Sequence, residues 1–116
     1  MALIHYLYIG HFIPEGGLVR FQDHRPVATR PINLETVSRL LNKWLGETPS
    51  PEKLAKEWGM SIFPDYIVCH YSGPPLALEI AAEYAECEGA IILDLGSFSL
   101  LTPEELRQSA ALNRTQ

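Results

Sequence analysis

Residues 65–98, DYIVCHYSGPPLALEIAAEYAECEGAIILDLGSF, limit the fold more than any other stretch, because they read as one complete strand, helix, strand unit. Tyr66 to Tyr71 is rich in β-branched and aromatic residues and is closed by Ser72-Gly73-Pro74-Pro75, the pattern of a strand ended by turn residues. Proline in the first turn of a helix forfeits no hydrogen bond, so a helix can begin at Leu76. Leu76, Ile80, Tyr84 and Cys87 recur at helical spacing beside Ala77, Ala81 and Ala85, and Gly89 supplies a left-handed cap. Ala90 to Leu95 is apolar without alternation, as in a strand covered on both faces. Two strands joined through a helix are expected to be neighbours that run the same way, with a right-handed crossover. Their ends, His70 to Gly73 and Asp94 to Ser97, then open on one edge of the sheet, where α/β sheets tend to bind ligands.

The remaining elements fall around this unit. Ala2 to Ile9 is a strand apolar on both faces and hence central. Leu18 to Gln22 alternates as a half-exposed strand does, and pairs with it as an antiparallel hairpin whose loop, around Pro14-Glu15-Gly16-Gly17, is longer than the minimum. Asp23 to Pro31 reads as an ordered loop or extended edge segment. Asn33 caps a helix with Leu34, Val37, Leu40, Leu41, Trp44 and Leu45 on one side, and Gly46 stops it. Ser50-Pro51-Glu52-Lys53 opens a shorter helix that ends at Gly59, and Thr102-Pro103-Glu104-Glu105 has the spacing of a capping box, opening a last helix through about Leu112. The order β-β-α-α-β-α-β-α predicts a single α+β domain over residues 1–116, a two-layer sandwich with a mixed sheet and one parallel βαβ crossover. Three-layer α/β is the alternative.

A chain of 116 residues suffices for one core and not for two, and with 47% apolar residues it is not a disordered chain. No apolar run approaches the roughly 20 residues of a membrane helix. MALIHYLYIG has neither a basic leader nor a small-residue cleavage site, so it is expected to be a strand and not a signal peptide. Two cysteines make no disulfide framework, which points to the cytoplasm. Charge is lopsided: between Glu57 and Glu105 there is no Lys or Arg but nine acids, whereas the first 56 residues hold seven of the nine basic side chains against five acids. A net charge of −5 so distributed argues against nucleic acid as a partner.

Several residue groups could carry chemistry. Cys69 and His70 are adjacent in a strand, so they face opposite ways and form no dyad, and Cys69 reads as a buried structural thiol. Asp94-Leu95-Gly96-Ser97 resembles the acidic strand end of nucleotide-binding sheets, including the first motif of class I methyltransferases, but Phe98-Ser99-Leu100-Leu101 follows where further glycines belong. The histidines His5, His11, His24 and His70 lack metal-site spacing, so neither metal nor cofactor is expected. Glu79 and Glu83 are an i,i+4 like-charge pair in a helix without a basic residue. With Glu86 they define an acidic helix face that either loop residues Arg20, Arg25 or Arg30 neutralise or a basic protein partner does. The leading expectation is a non-enzymatic protein-binding module of the immunity- or inhibitor-like class acting through that face. The alternative is a small enzyme or ligand-binding domain whose site, at the carboxyl edge of the sheet, is lined by His70, Tyr71, Ser72, Asp94 and Ser97. A homo-oligomer joined through a sheet edge or the strand around Tyr6 and Tyr8 is a third possibility.

Overall fold

The longest strand takes the centre of the sheet. It spans Tyr6–Phe12 (β1), with Leu7 and Ile9 fully buried. A computed structural model describes residues 6–71 and 73–115, with side chains as far as Ala111. After β1 come four short strands, β2 (Pro14–Glu15), β3 (Leu18–Val19), β4 (Phe21–Gln22) and β5 (Arg25–Pro26), followed by β6 (Ala28–Arg30), α1 (Leu34–Leu45) and α2 (Pro51–Trp58). The second half is β7 (Met60–Ile62), β8 (Ile67–His70), α3 (Pro75–Glu88), β9 (Ile91–Asp94), β10 (Ser99–Leu101) and α4 (Pro103–Thr115).

The main sheet has the order β10-β9-β1-β8-β7, with β6 pairing on the far end of β1. Each of these pairings is antiparallel. β8 and β9 therefore do run the same way, but they are not neighbours: β1 lies between them, with Leu7 opposite both Cys69 and Asp94. The parallel pair of a mixed sheet is replaced by two antiparallel ones, because inserting an apolar strand gives both partners the slightly stronger antiparallel ladder.

The α+β class stands, and the strand register shows which face the helices cover. Leu7, Ile9, Ile67, Cys69, Met60 and Ile92 form one core with Leu40, Leu41, Leu54, Leu78, Ile80, Tyr84 and Leu106 of the four helices. The alternate residues Phe12 and Leu93 join Val19, Leu18, Phe21 and Ala28 in a second cluster that no helical residue enters. Helices thus cover one face, and the 13–28 segment covers part of the other.

That segment is two successive short hairpins, β2-β3 and β4-β5, tied together where Ile13, Arg20 and Val27 bond to one another, and not one long-looped hairpin. Ile13 N–H donates to Val27 O (3.2 Å), Arg20 N–H to Ile13 O (2.8 Å) and Val27 N–H to Arg20 O (2.8 Å). Its turns are two-residue ones at Gly16-Gly17 and Asp23-His24, all four residues with positive φ, as the right-handed twist of such hairpins requires. Helix ends follow local sequence as read. The Asn33 side chain accepts from Glu35 N–H and Thr36 N–H, Ser50 Oγ from Lys53 N–H, and Thr102 and Glu105 cap each other reciprocally. Among the described residues no helix is long and apolar enough to cross a membrane.

Candidate functional site

The carboxylates of α3 are engaged inside the fold. Arg107 of α4 donates from Nε to Glu79 Oε2 (3.1 Å) and from both terminal nitrogens to the two oxygens of Glu86. Lys43 of α1 lies 2.9 Å from both oxygens of Glu83, and Trp44 Nε1 donates to the same carboxylate at 3.3 Å. Thr36 Oγ1 and Asn33 Nδ2 donate to Glu88 (2.9 and 3.3 Å). The hydrogen bonds from Arg107 hold Glu86 below the usual carboxylate range, and the one from Thr36 does the same for Glu88. Compensation of Glu79, Glu83 and Glu86 therefore comes from the flanking helices and not from Arg20, Arg25 or Arg30; Arg30 donates to the Glu88 carbonyl (3.0 Å), and its charge adds to the lowering of Glu88. The premise of an uncompensated acidic face is corrected accordingly.

The residues expected at the carboxyl edge are not brought together. His70 pairs with Tyr6 and Asp94 with Leu7, so the two side chains stand on opposite faces of the sheet, separated by the width of β1. The His70 ring packs on Tyr6 at 4.8 Å. Asp94 is buried, and its Oδ1 accepts from Gly96 N–H (2.8 Å) and Ser97 N–H (3.4 Å), closing its own turn. Ser97 Oγ is bonded to Ser99 Oγ (2.6 Å), and Tyr71 Oη to Ser109 Oγ of the last helix (2.9 Å). Ser72 lies outside the described residues, as does His5. Cys69 is inside the helical core, where burial pushes its thiol up to about 12, whereas Cys87 is exposed.

The face of the sheet without helices offers a different surface. Tyr6, Tyr8, Tyr66, Val68 and His70 share it by strand register, joined by Ser61 and Phe63 from the β7 side. Tyr8 and Phe63 pack on either side of Tyr66 at ring distances of 5.0 and 5.2 Å. Burial, and then the neighbouring Tyr66, push the Tyr8 phenol up. Phe63 is 44% exposed and lines three adjoining hollows. One of about 380 Å³ holds Tyr6, Tyr8, Arg25 and Val68, a second of about 520 Å³ holds Asp23, Arg25, Pro26 and Asp65, and a third of about 420 Å³ is an apolar cleft between Leu34, Val37, Leu41, Leu54, Met60 and Ile62.

No known protein family, curated protein or solved structure matches the chain.

The aromatic face left a trace in the sequence. Tyr6-Leu7-Tyr8-Ile9 alternates tyrosine with aliphatic residues, and Tyr66-Ile67-Val68-Cys69-His70 places two polar-tipped rings, Tyr66 and His70, on the same face. Taken as apolar on both faces, these runs conceal that one face carries several rings with a polar handle, common in interfaces that must also tolerate water.

Proposed function

We propose that this protein is a non-enzymatic, cytoplasmic protein-binding module that meets a basic partner through the helix-free face of its sheet, with Phe63 at the centre of the contact. The observation that carries this reading is where the exposed large apolar side chains collect. Of the five among the described residues, Tyr6, Phe63 and Leu100 stand on this face by strand register, and Leu34 adjoins it across the cleft shared with Phe63. Clustered exposed apolar residues mark interaction sites, and aromatic side chains in hollows are the usual anchors. The net charge of −5 favours a basic partner, and Asp23 and Asp65, which line the largest of the three hollows, form no ion pair among the described residues.

The test is a photo-crosslinking amino acid placed at Phe63, at Tyr8 and, as a control on the helical side, at Gln108, with adducts identified by mass spectrometry in the native cell. Discrete adducts at 63 and 8 and none at 108 are expected. The recombinant partner should then bind Phe63→Ala at least about tenfold more weakly, the loss of a central anchor. Adducts of twice the chain's own mass would replace this reading with self-association, and equal labelling at all three positions would overturn it.

A further inference from the structure

The three non-glycine residues with positive φ among those described, Asp23 (52°), His24 (65°) and Phe98 (51°), all line one hollow. Its volume is about 350 Å³, and Phe21 and Leu95 complete its wall. Asp23 and His24 have a local reason for their backbone, since they form a two-residue hairpin turn that requires positive φ at both positions. Phe98 has no such excuse of composition. It ends the four-residue connection between Asp94 and Ser99, where the left-handed conformation favours Gly or Asn and penalises a bulky residue. Nor does packing account for it, because Phe98 is 66% exposed, more than any other large apolar side chain among the described residues. Glycine would relieve this strain, so the backbone does not require the ring; the ring lines the hollow.

We infer that this hollow binds a guanidinium, the side chain of an arginine presented by the basic partner. Phe98 and Phe21 line it with aromatic rings, on which a weakly hydrated planar cation can stack, and Leu95 adds apolar surface for its methylene stem. Asp23 supplies the counter-charge. Its carboxylate is in no ion pair among the described residues, although His24 lines the same hollow and Arg25 the adjoining one, and neither Lys nor Arg lines this hollow. The hollow also shares Asp23 with the one that Phe63 lines, which places the arginine at the rim of the proposed contact. The inference deepens the protein-binding reading and rests on it for the source of the arginine, but its chemistry can be tested without a partner.

The experiment is an NMR titration of the full chain with acetyl-arginine methylamide, with the neutral isostere acetyl-citrulline methylamide and acetyl-lysine methylamide in parallel. Saturable shifts confined to residues 21–24 and 95–98 are expected for the arginine compound, with at least fivefold weaker binding of the other two. Asp23→Asn and Phe98→Gly should each abolish them. Phe98→Gly should at the same time unfold at an equal or higher temperature than wild type, which separates loss of binding from loss of fold. Equal response to citrulline, equal or tighter binding of lysine, unchanged binding by Asp23→Asn, or a destabilised Phe98→Gly would each overturn the assignment. Crosslinks at Phe63 with a null titration sink the guanidinium site alone, and a positive titration without crosslinks sinks the protein-binding reading alone.

Discussion

At the scale of single residues, the most consequential polar contact is one that carries no charge. His11 is buried on β1, with Nε2 3.2 Å from the Tyr84 hydroxyl, and that oxygen accepts the Asn33 N–H at 2.9 Å. A neutral ring protonated on Nδ1 lets Tyr84 donate to Nε2 while accepting from Asn33, so all three groups are satisfied. Burial, and then the nearby Arg30, push the His11 pKa down, with Glu88 opposing. The unfolded chain therefore takes up a proton near the ordinary value of 6.5 while the folded one does not. Stability is complete above that pH, falls as the pH drops below it, and levels off under the lower folded value. Urea midpoints at pH 7.5, 6.5 and 5.5 should decline more in wild type than in His11→Gln, and a wild-type slope no steeper than the variant's would refute this. Tyr84→Phe should lose about 1 to 2 kcal/mol by urea unfolding, since it strips a partner from both His11 and Asn33. Tyr84 was legible as a core position from its helical spacing. His11 was not, because the turn residues after it mask the continuation of β1 to Phe12.

At the scale of elements, what the sequence disclosed was whatever is decided within a few residues. Asn33, Ser50, Thr102 and Glu105 cap helices through bonds to neighbours two or three positions away, and their roles could be read directly. The partners of α3 could not, since Lys43 and Arg107 arrive from other helices, 40 and 28 residues from Glu83 and Glu79. α3 is also buried more broadly than an amphipathic helix, with Leu78 and Ala82 as hidden as Ile80 and Tyr84, because α1 and α4 flank it. Arg107→Ala should loosen α4 from α3 and cost about 1 kcal/mol, as two partly exposed ion pairs and the packing of the arginine stem are lost. A double-mutant cycle with Glu86→Ala, read by urea unfolding, should return a favourable coupling of a few tenths of a kcal/mol, roughly the scale of a part-exposed pair. Zero coupling would mean that the pair contributes nothing.

For the molecule as a whole, the α+β class and the matching direction of β8 and β9 were accessible from periodicity, whereas the place of β1 between them was not. Strand order depends on which apolar strand gains most from two partners, and no local pattern encodes that choice. The separation of His70 from Asp94, and with it the dispersal of the carboxyl-edge group, follows from this one insertion. A chain ending at Gly89 lacks β9 and leaves β1 bare along one side, so circular dichroism should find no cooperative urea transition in it. Leu7 meets Cys69 and Asp94, 62 and 87 positions later. On the ribosome, β1 can therefore pair with β8 once His70 has emerged, but its other, greasy side must wait for β9. Contacts this remote in sequence fold slowly and leave nascent chains open to aggregation. Pausing translation before codon 91 should thus raise the chaperone-bound fraction of this protein, an outcome that ribosome-associated pull-downs can measure.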